Sequence, residues 1–343
     1  MKTLKILLFL FLSISIFSQH KEVAITFKKN TELFGYIIEL ADPSENDKNN
    51  PIYKIIHSYE EDLNNDSMTK IFEIGGSMGY GFLENFCYIL PELPFDNTFD
   101  IENHIRNIYE HLSNEKSIQL IKLANALNQF ALTSNFQTVF DNLEPYRDKI
   151  QLLLEENKPS FELLQELETF YNRKFENYII VPSITIWPSA AFGGFENNMK
   201  TAVFTLGPLE INFNFSNSKS FKELAIHEFG HSFVNDHVLK NSDIIKETNH
   251  LFSPMKETMY PQGYHNWETC LIEHFVRAGE VIIPELLNDA ESSNSLMDEY
   301  VKNRQFNYLP FIVEKLKYYR LVKKYTYNDA VRQTLIELKN IPQ

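Results

Sequence analysis

Apolar and polar residues alternate along the chain with two different periods, and the changes between them outline a fold. From 23 to 40 the alternation is strand-like in places, through Val23, Ile25 and Phe27 and then Phe34, Tyr36 and Ile38. Residues 42–51 form a polar loop with two prolines, and Gly75, Gly76, Gly79 and Gly81 predict a turn region. Between 99 and 171 the period lengthens. Ile118, Ile121, Leu123, Ala124, Leu127, Phe130 and Ala131 fall on one face of a helix, and Pro145 and Pro159 punctuate the segment. Residues 178–187 and 201–206 are rich in β-branched and aromatic side chains and predict two strands, with the glycine-bearing 190–195 as a turn between them. A third strand is expected over 209–215. Ser220 and Glu223 then have the spacing of a capping box, which announces a helix. The rest, to Gln343, reads as mostly helical.

These elements predict an α+β fold, a small sheet with a mostly helical remainder. An α/β part would span 19–215, including the sheet, and a helical subdomain 216–343. Residues 1–18 read as an export signal: Lys2 and Lys5 precede an apolar run over 6–17, broken only by Ser13 and Ser15 and too short to span a bilayer comfortably. That implies a secreted or periplasmic protein, with no transmembrane segment. The formal net charge of −14 argues against nucleic acid or an anionic membrane as partner, since both need a positive surface. Cys87 and Cys270 do not make a disulfide scaffold and read as buried free thiols.

The chemistry concentrates in 224–235, which reads LAIHEFGHSFVN. His227 and His231 are four apart, so a helix points both imidazoles to one side, where they can meet one Zn²⁺ at about 2.0–2.1 Å. Glu228 can take the proton from an attacking water as general base and later pass it to a leaving amine. A catalytic zinc wants a third protein ligand. His237, six residues after His231, matches a metzincin spacing, but Val234 stands where that pattern needs glycine. Glu273 and Glu268 lie on a second predicted helix around 267–278 and, five apart, cannot both face the same ion.

His227-Glu228-Phe229-Gly230-His231-Ser232-Phe233-Val234-Asn235, with Tyr264, Asn266-Trp267, Thr269-Cys270, Glu273-His274 and Arg277-Ala278 downstream, resembles an uncharacterised family of exported bacterial proteins: a domain of unknown function with a gluzincin-type zinc site. The resemblance implies His227, His231 and Glu273 as ligands and Glu228 as base. It departs from thermolysin-like gluzincins at Arg277, where an Asp often steadies a ligand histidine. Another acceptor must then orient His227. Tyr264 is the candidate donor to a developing oxyanion, His274 reads as a packed core histidine, and 192–194 could rim a cleft at a sheet edge. The expected activity is zinc-dependent hydrolysis of peptide bonds in a peptide or protein substrate. The alternative is a zinc-containing binding or scaffold protein without turnover.

Overall fold

The computed structural model describes residues 22–76, 78–110, 112–186 and 200–341, and the backbone of 191–197. The expected export signal, 1–18, lies outside the described residues. The chain is mostly helical around one small sheet, an α+β arrangement. Strands β1 (Val23–Ile25), β2 (Asn177–Pro182), β3 (Ala191–Asn197) and β4 (Thr201–Leu206) stand in the order β1-β2-β4-β3. The first three in that order run parallel, and β3 pairs antiparallel with β4 at the edge. All of β4 is buried, as expected of a parallel strand covered on both faces.

Three sequence expectations are corrected. Residues 191–195 of the expected turn are strand: Ala191 begins β3, and the register shifts between Gly193 and Phe195, where glycine tolerates a bulge; Ala190 lies outside the described residues. Residues 34–40 are not strand but part of α1 (Lys29–Ala41). Leu33, Tyr36, Ile37 and Leu40 follow the helical period, and because Phe34 on another side is buried too, the apolar pattern imitates alternation. Only a bridge between Glu210 and Asn214 forms within 209–215. There the Asn212 side chain accepts from the Asn214 amide (3.1 Å) and that of Asn214 from Ser216 (2.8 Å), local bonds that compete with a strand ladder.

Helix α1 lies against the chain leaving β2. The buried Glu32 carboxylate accepts from the amides of Ile184 (3.0 Å) and Thr185 (3.1 Å), and burial pushes its pKa up. A Cβ on Gly35 would stand 2.7 Å from the Thr185 carbonyl carbon, so only glycine allows this approach. Beyond it, α2 (Asp66–Gly75) packs on α4 (Asn114–Thr133), and α3 (Tyr80–Ile89) packs on α1. Both cysteines are free and buried. No helix of the described residues is long and apolar enough to cross a membrane.

Three helices then build the functional region: α5 (Phe161–Tyr171), α6 (Ser218–Leu239) and α7 (Trp267–Leu286). The cap of α6 is Asn217, which accepts from the Ser220 amide at 3.1 Å, so Ser220 lies inside the helix rather than capping it. Phe229 sits edge-on to Tyr178 of β2 and Phe204 of β4, with centroids 5.1 and 4.8 Å away, and Phe233 stacks on Tyr171 of α5 at 4.8 Å. Two residues rotate a helix by about 200°. Anchoring Phe229 and Phe233 to the core therefore turns His227 and His231 to the opposite side.

Helices α6 and α7 cross at glycines. A Cβ on Gly279 would stand 1.9 Å from the Tyr171 hydroxyl oxygen, and one on Gly230 would lie 3.3 Å from Val276 Cγ1 and 3.6 Å from the same hydroxyl. That hydroxyl has no hydrogen-bond partner among the described residues. Gly279→Ala is accordingly expected to lose about 1–3 kcal/mol of unfolding free energy, the usual cost of overpacking, and Tyr171→Phe in the same chain to recover part of it. Urea unfolding of the single and double variants measures both.

Candidate metal centre

The α6 helix holds His227 and His231 one turn apart, with ring centroids separated by 4.9 Å. Their Nε2 atoms stand 3.3 Å from each other. Helix α7 delivers Glu273, whose Oε1 lies 3.3 Å from His231 Nε2 and whose Oε2 lies 3.7 Å from His227 Nε2. Tetrahedral ligands about 2.05 Å from one ion would be roughly 3.3–3.4 Å apart, so these edges fit a single small cation.

The other ring nitrogens define the tautomers. His227 Nδ1 donates to Glu280 Oε2 at 2.8 Å, and His231 Nδ1 donates to Asn235 Oδ1 at 3.0 Å. With Nδ1–H on both neutral rings, two bare Nε2 lone pairs and a carboxylate converge. They repel one another unless a proton or a metal ion lies between them. Such orienting acceptors are the usual companions of metal-ligating histidines.

Glu280 is the acceptor for His227 that sequence reasoning left unnamed. Its signal was present: it follows Glu273 by seven residues, which on a helix returns to nearly the same face. Tyr300 donates to its Oε1 at 2.7 Å. Arg277 lies between the two carboxylates, 3.3 Å from Glu273 Oε2 and 3.5 Å from Glu280 Oε2, with its guanidinium over the rings of Tyr300 and Phe306 at 4.6 and 4.7 Å. Tyr264 donates to Glu273 Oε2 at 3.2 Å and accepts from Arg277 at 3.0 Å, which makes it first a support of that carboxylate.

Glu228 is buried beside the pair, and one donor atom each from His227, Glu228 and His231 lie within 4.8 Å of one another. That trio alone could hold a metal; Glu273 also reaches both Nε2 atoms, at 3.3 and 3.7 Å. Burial raises the Glu228 pKa against the opposing pull of His227 and His231. A further buried carboxyl, Glu84 of α3, was invisible in the sequence. It bonds to Thr205 of β4, and burial lifts it to about 8. It is therefore mainly neutral at pH 7. With both imidazoles neutral and all three carboxyls ionised, Glu228, Glu273 and Glu280 against Arg277 would leave two negative charges in a buried site, which one divalent cation would neutralise; in the ion-free protein a proton on His231 offsets one of them.

The rival ligands are elsewhere. His237 remains on an unbroken α6, with Nδ1 3.4 Å from Asn328 Oδ1 and its ring against Tyr327 at 5.5 Å. Glu268 is exposed in the first turn of α7. His274 is fully buried, with Nδ1 donating to the Cys270 carbonyl at 2.7 Å, as read from the sequence.

The chain belongs to the family described as a domain of unknown function (DUF4932), whose profile matches residues 108–328. That segment contains α4 through α7, the sheet apart from β1, and every residue of the cluster except Glu84. No curated protein and no solved structure matches the chain.

Glu273→Ala should abolish tight zinc binding in competition titrations, Glu280→Gln should weaken it about 10–100-fold, and His237→Ala should leave it unchanged. Loss in the His237 variant alone would overturn this ligand set. Burial pulls the His231 imidazole down, but the Glu273 carboxylate overcomes this and lifts it to about 9 in the ion-free protein. A histidine raised above its unfolded value near 6.5 stabilises fully below that pH and loses the contribution as pH rises. Chelator-treated protein should therefore lose stability from about pH 6.5 to 9, and zinc-loaded protein should not. Denaturant midpoints across that window test the difference.

Proposed function

We propose that the protein is an exported zinc-dependent hydrolase of the peptidase type, with His227, His231 and Glu273 holding one Zn²⁺. The single observation carrying this reading is the convergence of two Nε2 atoms 3.3 Å apart on one carboxylate, whose Oε1 lies 3.3 Å from His231 and whose Oε2 lies 3.7 Å from His227, next to a second buried carboxyl. Two histidines and one carboxylate with an open position are the donor set of catalytic zinc. Bound there, the ion would polarise a substrate carbonyl and make water easier to deprotonate.

The chain's own groups supply the rest. Glu228 accepts the water proton, and its burial-raised pKa brings it nearer the working range of a base that must also return the proton. The amine leaves with that proton. Glu280 and Asn235 keep the imidazoles in the tautomer that presents Nε2, while Tyr264 and Arg277 hold Glu273. The β3 edge strand packs against α6, a setting in which an extended peptide could pair as a further strand.

Glu228→Gln in zinc-loaded protein is expected to cut hydrolysis of a broad peptide library by at least about 100-fold, while metal content stays at one equivalent. Zinc binding by a wild type that cleaves nothing would support the scaffold alternative, and unchanged turnover in the variant would remove Glu228 from the mechanism.

A further inference from the structure

The glycine-bearing stretch 75–81 takes no part in the proposed metal site. Its described residues line two apolar clefts in the helical region built by α1 to α4. Behind it, a cavity of about 180 Å³ is lined by Phe34, Ile71, Leu83, Cys87, Leu123 and Leu127, among other apolar side chains. In front, a more open cleft of about 440 Å³ is lined by Met78, Gly79, Phe82, Leu112, Lys116 and Leu120, together with Gln119. Met78 lines both, which places the two clefts side by side. Phe72 at the inner cavity and Phe82 at the outer cleft are each 38% exposed.

Two properties specify an occupant. The inner cavity exceeds the roughly 150 Å³ that holds a benzene ring when lined by Leu, Ile and Phe. An apolar ligand seated there removes the lining side chains and its own surface from water, which favours binding in proportion to the area buried. The outer cleft carries one charge: of the described residues lining either space, only Lys116 is ionic, and it makes no salt bridge among the described residues. A deep apolar end with a single cation near its mouth is complementary to an alkyl chain bearing an anionic head.

We propose that the two clefts form one binding site for a single-chain anionic amphiphile, of which a medium-chain carboxylate is the simplest member. The chain enters past Met78 into the inner cavity, and the head pairs with Lys116. Helices α1 to α3 precede the matched family segment, so much of this site lies on a part of the chain that the family match does not cover.

Calorimetric titration of the full chain with hexanoate, octanoate and decanoate tests it. Affinity should rise about fourfold for each methylene added, the gain expected from burying that group. Lys116→Glu should weaken decanoate at least tenfold and leave decanol unchanged. Gly79→Leu should weaken both; a Cβ at that position meets nothing within 4 Å. Unfolding midpoints of both variants establish that they are folded. Absence of saturable decanoate binding, a flat chain-length series, or indifference to both substitutions would overturn the site. A decanol affinity equal to that of decanoate would overturn the anionic head. None of these measurements involves metal or turnover, so they stand or fall apart from the zinc reading.

Discussion

Two imidazole nitrogens 3.3 Å apart meet the two oxygens of one carboxylate in a buried space, each nitrogen faced by one Glu273 oxygen at 3.3 or 3.7 Å. Nothing in the chain's apolar chemistry favours that arrangement. It is stable only if positive charge occupies the centre, as protons on the rings or as a metal ion. The bonds from Nδ1 to Glu280 and Asn235 aim Nε2 of each ring at that centre, where a proton on His231 supplies the charge in the ion-free protein and a metal ion could take its place. Arg277 reduces the repulsion between the two carboxylates of α7 but does not reach charge balance with Glu228 included.

Holding such a cluster requires the two helices to be close and fixed. Phe229 and Phe233 lock the roll of α6 against the sheet and α5, and the Gly230–Gly279 crossing lets α7 approach closely enough for Glu273 to span both imidazoles. The Tyr171 hydroxyl fills the notch left by those glycines without gaining a hydrogen bond. Its contribution is therefore spatial. Packing fixes the helix pair, and the pair's geometry creates the electrostatic demand.

The sequence made part of this legible. The spacing of His227 and His231 needs only helical periodicity, and the same periodicity separates Glu273 from Glu268. Glu280 is equally accessible through the seven-residue return of a helix from Glu273, whereas the position four after Glu273 holds Arg277. Glu84 was not accessible. It approaches the site from α3 through Thr205 of β4, and no spacing along the chain reports a contact between distant segments. The misread elements share one cause. In α1 burial on several sides disguised a helix as alternation, in β3 two glycines marked a bulge rather than a turn, and around Asn212 and Asn214 side-chain bonds overrode an apolar strand pattern. In each case tertiary or local bonding outweighed propensity.

Glu273 and Glu280 being on one helix has a mechanical consequence. In an arrangement where ligand and orienting acceptor come from separate elements, each can shift independently and the site can loosen by degrees. Here a slide of α7 along α6 moves the carboxylate facing both Nε2 atoms and the carboxylate holding His227 Nδ1 together. Arg277 ties the two within the same helix, and Tyr300 fixes the second from the segment that follows. The His227 ring is thus gripped on both edges by one rigid body, and the closely packed glycine crossing sets where that body stops. His231 differs, since its Nδ1 acceptor, Asn235, is on its own helix and moves with it. Relative motion of α6 and α7 would therefore disturb His227 from both sides and His231 only through Glu273, which makes His227 the point where helix packing and the geometry of the cluster are most tightly coupled.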